Sequence, residues 1–222
     1  MIRLICLLLA LLLMAGCGAQ VPFREVPALP LGAAEPARVL DDFKARLPER
    51  FQLLNSVVLE YAGLSFMAIG YLDMDRSDNS FQVSCLNPLG VRLFELSGDH
   101  GAITARSVLP PLMGYGDLPT AVGTDIGRIF LDLLPAPHAQ VWRTGNSISF
   151  WQPAGAGRMQ YLFAGPDRDL LEKNYYEDSQ IQWGVSYYEY VELAGKRYPR
   201  GIVLTNYQRN YRLIVRHKEL YS

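Results

Sequence analysis

The most reactive side chain in this sequence stands at the end of its most apolar run. Cys17 follows Met14-Ala15-Gly16, and before them Leu4 to Leu13 form an unbroken apolar stretch behind the positive charge of Arg3. The run from Ile2 to Ala15 falls short of the roughly 20 residues a helix needs to cross the hydrocarbon layer. A positive charge, an apolar core and a small-residue site, in that order, describe an export signal over residues 1–16 that is removed on maturation. Cys17 would then open the mature chain, its thiol a nucleophile placed for acylation. An ordinary secretory signal or an uncleaved anchor is the alternative, with Met14 standing where Leu is usual before a modified Cys.

The remaining groups able to do chemistry are scattered. Cys6 leaves with the signal, so Cys85 is the one thiol left besides Cys17, and no disulfide within the mature chain is expected. Its setting, Phe81-Gln82-Val83-Ser84-Cys85, alternates apolar and polar as a half-buried strand does, which reads as core packing. His100, His138 and His217 are far apart, in no metal-ligand spacing and beside no catalytic Ser or Cys, and each is expected at the surface or in a turn. Asp73-Met74-Asp75-Arg76-Ser77-Asp78-Asn79 spaces carboxylates somewhat like a calcium loop but lacks the central Gly and terminal Glu, so a solvated hairpin tip is expected. No nucleophile elbow and no phosphate-binding glycine pattern occurs. No enzyme activity, metal or cofactor is expected. An enzyme would have to work through Asp41, Asp42 or Tyr187 without an evident nucleophile.

The elements that must hold these residues follow from periodicity. Residues 18–36 carry Pro22, Pro27, Pro30 and Pro36, and with Cys17 they read as a flexible tether over 17–36. From Ala37 to Phe51, Val39, Leu40, Phe43 and Leu47 recur at helical spacing, with Pro36 and Pro48 suited to its ends. Strands are expected at Phe51–Tyr61, Gly63–Met74, Ser80–Asn87, Val91–Ser97 and Ala102–Ser107, separated by turns too short for anything but hairpins. A second helix, a candidate lid, spans Ala121–Leu134. Strand signals resume at Gln140–Arg143, Ser147–Gln152, Met159–Ala164, Gln180–Leu193, Gly201–Asn206 and Tyr211–Arg216, with Asp167–Asn174 read as a helical turn or loop. Residues 37–222 thus form one α+β domain, mainly antiparallel β: an incomplete, half-open β-barrel of about eleven strands with a helical lid. Without Arg3 the chain has 20 basic residues against 22 acidic, a balance that asks for no nucleic acid.

Two resemblances attach to these residues. Cys17 with its signal resembles the processing site of bacterial lipoproteins, which implies a diacylglyceryl thioether and an N-acyl group such as palmitate, and Gly18 resembles outer-membrane sorting. Acyl chains contribute about 0.8 kcal/mol per buried methylene, so several hold durably. Leu86-Asn87-Pro88-Leu89-Gly90 followed by Leu93, Phe94 and Leu96 resembles a hairpin of the LolB-like outer-membrane lipoprotein receptors. Tyr198 to Asn206 with Tyr211 to Val215 resembles the last hairpin of that group, closer still to an uncharacterised set of LolB-like lipoproteins. The likeness implies an apolar interior that shelters acyl chains, and a protruding hydrophobic residue, here Leu89, that enters the membrane with Pro88 and Gly90 shaping its turn. Such a Leu gains on the order of 1.5–3 kcal/mol on reaching an apolar phase; the alternative is that it folds back onto the core.

The candidate cavity residues are Phe66, Phe81, Val83, Leu93, Ile129, Phe130, Trp183 and Tyr187, although ordinary packing under a helix would carry the same pattern. The reading is a membrane-anchored binding protein on the periplasmic face of the outer membrane. It would accept a lipid or acylated protein from a LolA-like periplasmic carrier and pass it to the bilayer. The alternative is a non-catalytic accessory or scaffold lipoprotein of an envelope assembly or exporter.

Overall fold

The structure, a computed structural model, describes residues 21–27, 30, 31 and 34–221, so the expected signal and Cys17 lie outside the described residues. The helix expected from the first heptad-like run is α1, Pro36–Arg46. It starts with Pro in its first turn and stops two residues before Pro48, which cannot continue it. The lid helix α2 is Leu118–Phe130, preceded by a 3₁₀ turn at Pro110–Tyr115.

Twelve strands follow in chain order: β1 Arg50–Tyr61, β2 Leu64–Asp75, β3 Ser80–Leu86, β4 Arg92–Asp99, β5 Ala102–Val108, β6 Gln140–Arg143, β7 Ser147–Ala154, β8 Gly157–Ala164, β9 Asp169–Glu177, β10 Gln180–Leu193, β11 Lys196–Asn206 and β12 Tyr211–Tyr221. The extra strand is β9, where a loop or helical turn is expected from the sequence. It pairs with β8 and β10 and carries the inward Lys173 where an apolar residue would have signalled a strand.

All twelve strands form one antiparallel sheet in the order β5-β4-β3-β2-β1-β12-β11-β10-β9-β8-β7-β6. Two meanders meet at the β1–β12 pair, and the outer strands β5 and β6 do not join, so the barrel stays open. Several hairpins are two-residue turns with both central residues at positive φ, such as Ala62-Gly63 and Ala194-Gly195. That turn geometry matches the twist of the paired strands. One face of the sheet, from Leu96 of β4 to Phe150 of β7, shares a single core with Val39 and Phe43 of α1 and with Ile129 and Phe130 of α2. A sheet whose distant strands share one core must curl around it. Cys85 is buried on that face, as its alternation implies.

The stretch expected to swing as a tether does not hang free over its described part. Phe23 is buried on the opposite, outer face of the sheet against Val203 and Ile214, stacks on Tyr188 at 5.4 Å and lies under the Arg216 guanidinium. Leu31 and Ala34 join the main core. Single apolar residues between the prolines are enough to strap this segment down, a role proline content alone does not reveal.

Candidate functional site

The lid helix is held by its ends. At the start of α2 the Asp117 carboxylate accepts a hydrogen bond from the Thr120 amide at 3.2 Å, an N-cap that also lowers the pKa of Asp117. At its other end the helix leaves carbonyls without partners inside the helix. Three side chains from three places in the fold satisfy them: the Tyr187 hydroxyl donates to Ile129 at 2.9 Å, Arg76 Nε to Phe130 at 2.8 Å, and Lys173 Nζ to Leu131 at 2.9 Å. Arg76, and Lys173 when protonated, place positive charge at the negative end of the helix dipole. Burial raises the Tyr187 phenol, pulls Arg76 down to about 10 and pulls Lys173 down to about 7.

Along the body of α2, Asp125 is buried; the Tyr211 hydroxyl donates to it at 2.6 Å and Arg128 pairs with it at 3.1 Å. Desolvation raises the Asp125 pKa and outweighs these partners, which pull it down. Arg128 also lies 4.7 Å from the centre of the Trp183 ring. Gly123 lets the helix approach β5 so closely that a Cβ there would collide with Ile103.

A small void lies beneath the lid. The void lined by Phe43, Phe51, Ile129, Phe130, Tyr187 and His217 measures about 20 Å³, enough for one water and far below the roughly 300 Å³ at which ligand pockets begin. The sequence suggested a larger apolar space here than this void provides. Ile129, Phe130 and Tyr187 do border the void, but Phe81 and Val83 are packed core residues, and Trp183 stacks on Tyr175 at 5.9 Å. Leu93 is half-buried beside an irregularity in the β3–β4 pairing. Phe66 stands apart from the rest.

Phe66 marks where the core side of the sheet is uncovered. Alternation from Phe51 and Leu53 puts Leu59 and Tyr61 of β1 on that side; Leu59 pairs with Phe66 and with Leu213, and Tyr61 with Leu64 and Tyr211. Leu64 is 60% exposed and Phe66 50%. The half-barrel thus ends in an apolar strip facing water. At the neighbouring β3–β4 tip, Asn87 Oδ1 accepts from the amides of Leu89 at 3.0 Å and Val91 at 2.9 Å, and the Gly90 amide donates to the Asn87 carbonyl. Gly90 takes φ +82, which its lack of a Cβ allows. Leu89 does not fold back: it is 88% exposed. Cys17 lies outside the described residues, so its surroundings are not part of this geometry.

An open antiparallel half-barrel with a helix laid across its core side is a recognisable arrangement, and solved structures share it. One is a domain from Vibrio parahaemolyticus described as an outer membrane lipoprotein-sorting protein, with 13% identity, 83% of this chain and 90% of that one covered, and a TM-score of 0.55. Another is a LolA superfamily protein from Nitrosomonas europaea, with 10% identity, 85% and 93% covered, and a TM-score of 0.58. This chain has a LolA-like fold. A DUF1329 family protein from Desulfovibrio piger shares it at 8% identity, with 82% and 89% covered and a TM-score of 0.52. No protein-family model and no curated protein matches the sequence.

Within this LolA-like fold the polar groups under the lid were not foreseen from the sequence. Arg76 belongs to a run expected to be a solvated tip, yet its guanidinium reaches inward to the carbonyls of Phe130 and Pro48. His217, expected at the surface or in a turn, is buried, stacks on Phe130 at 6.2 Å and has no hydrogen-bond partner for either ring nitrogen. A usable signal existed for His217, because it continues the inward parity of Leu213 and Val215. Among the described residues no cluster of His, Cys, Asp and Glu could hold a metal ion, and no helix is long and apolar enough to cross a membrane.

Proposed function

We propose that this chain is a lipid-anchored, acyl-chain-handling protein on the periplasmic face of the bacterial outer membrane. It takes a lipid or an acylated protein onto the open end of its half-barrel and releases it to the bilayer. The observation that carries this reading is the water-facing apolar strip of Tyr61, Leu64 and Phe66 at the uncovered end of a LolA-like sheet. Acylated Cys17 holds the protein at the membrane, a soluble LolA-like carrier is the donor, and Leu89 enters the acyl layer. Handover needs no covalent step and no cofactor, because cargo moves to the environment that buries its chains better. With the interior filled, a chain begins on the strip and extends inward only as α2 lifts.

A fluorescent fatty-acid probe titrated into the chain beginning at residue 18 tests this. Binding is expected, and Phe66→Asp should weaken it by about tenfold. A chain that neither binds the probe nor carries lipid in native mass spectrometry supports a second reading, an acylated scaffold of an envelope assembly, which the small size of the void under α2 favours. Leu89→Glu should leave probe binding intact and slow probe delivery to phospholipid vesicles.

A further inference from the structure

A strand with one covered face ordinarily alternates apolar and polar residues, and β2 does not. From Tyr61 to Leu72 the sequence has no charged residue. Phe66, Ala68, Gly70 and Leu72 share the core side, so Met67, Ile69 and Tyr71 point to the outer face, where they are 66%, 37% and 52% exposed. Val58 beside Met67 and Leu86 beside Ile69 extend the patch. The strand lies between β1 and β3 with its backbone paired on both sides, so these side chains are not there for strand addition.

The N-terminal strap leads toward this patch. Val26 lies against Gly165 of the β8–β9 turn, the Arg24 amide donates to Glu189 of β10 at 3.1 Å, Phe23 lies on Gly201 of β11, and the Pro22 carbonyl accepts from Arg216 of β12 at 2.7 Å. Followed toward its start, the chain crosses β10, β11 and β12 in turn, and the next strands are β1 and β2. Arg216 pairs with Ser56, and Ser56 with Ile69. At about 4.8 Å per strand, β2 lies roughly 10 Å beyond β12. The four residues from Val21 back to Cys17 can span up to about 14 Å. Cys17 is therefore within reach of Met67 and Ile69. Leu89 projects from the same end of the sheet, three residues past Leu86, the partner of Ile69.

We propose that the outer face of β2 is a membrane-seating surface, with Met67, Ile69 and Tyr71 pressed into the bilayer that receives the acyl chains of Cys17. This rests on the reading of Cys17 as an acylated anchor. It fixes the orientation of the half-barrel: the anchor, the patch and the Leu89 tip share one membrane plane, and the apolar strip of Leu64 and Phe66 opens beside it.

The test uses the full acylated chain, its acylation verified by intact mass, reconstituted into vesicles of phosphatidylethanolamine and phosphatidylglycerol. An environment-sensitive fluorophore is placed on Met67→Cys and, separately, on Asp78→Cys at the other end of β2, with Cys85 buried and out of reach. The label at 67 should shift to the blue on reconstitution and be quenched by nitroxide-bearing phospholipids, while the label at 78 does neither. A label at 67 that stays in water, or a blue shift without lipid quenching, overturns the proposal, the latter by pointing to a protein contact. In the unacylated chain beginning at residue 18, Met67→Glu and Ile69→Glu should each cut partitioning to the same vesicles by about tenfold. They should leave fatty-acid probe binding unchanged, which separates failure of this surface from failure of the acyl-binding strip. Undiminished partitioning of both variants overturns the seating role.

Discussion

Replacing His217 with Phe should remove a specific part of the protein's sensitivity to acid. The imidazole is 6% exposed, faces the Phe130 ring and has no partner on either nitrogen, and burial lowers its pKa from 6.5 to about 4. A group whose protonation is suppressed in the fold but free in the unfolded chain makes the unfolded state bind more protons between those two values. Stability therefore falls as pH drops below 6.5 and stops falling, for this group, below about 4. With about 1.4 kcal/mol per pKa unit, the loss reaches about 2 kcal/mol by pH 5 and about 3 kcal/mol by pH 4. The assay is urea unfolding followed by tryptophan fluorescence, for the parent and His217→Phe, from pH 7.5 downward. Carboxylates titrate in both proteins, so the difference between the two curves isolates the imidazole. A gap that stays constant to within about 0.5 kcal/mol from pH 7 to pH 5 refutes the reasoning.

Lys173→Met should act in the opposite pH range. With its folded pKa lowered from 10.5 to about 7 by burial, the parent should gain about 2 kcal/mol between pH 7 and pH 9, as the folded state sheds a proton that the unfolded state keeps. The variant should lack that slope in the same unfolding assay. Gly123→Ala should push α2 off Ile103 and cost about 1–3 kcal/mol, seen as a lowered melting temperature. Cys85, its thiol pushed up to about 11 by burial, should resist a thiol reagent in the native protein and react promptly once urea unfolds it.

How much of this was readable in advance depends on what each side chain faces. Phe81-Gln82-Val83-Ser84-Cys85 alternates cleanly because one side meets the core and the other water, so the strand and the burial of Cys85 follow from the letters alone. Asp169 to Glu177 hides its strand, since the inward position shared by a Tyr161 pair on one side and a Val185 pair on the other is Lys173, serving as a donor to α2. The lid helix was legible as an element, but not what fastens it, because Arg76 from the β2–β3 turn and Lys173 and Tyr187 from the β9–β10 hairpin converge on its end across nearly a hundred residues of chain. The extent of an internal cavity was not legible for a different reason. A side chain that lines a hollow and one that fills it must both be apolar, and only coordinates separate Phe66, left in water, from Phe81, packed against Gly98. For Leu89 the sequence left exposure and folding back both open, and the Asn87-held turn leaves it exposed.

The seam between the two meanders has a consequence for how the molecule comes into being. β1 precedes and β12 follows all the other strands of the sheet, yet they pair along their length, from Gln52 with Tyr221 to Tyr61 with Tyr211. Contacts so distant in sequence close large loops and form slowly. Either meander can zip up through its own local hairpins, but the sheet becomes continuous across the two halves only once β12 pairs with β1. Truncating the end of β12 would therefore be felt at Gln52 and Leu53 of β1 in the middle of the sheet, and assembly of the sheet should finish only after β12 has been made.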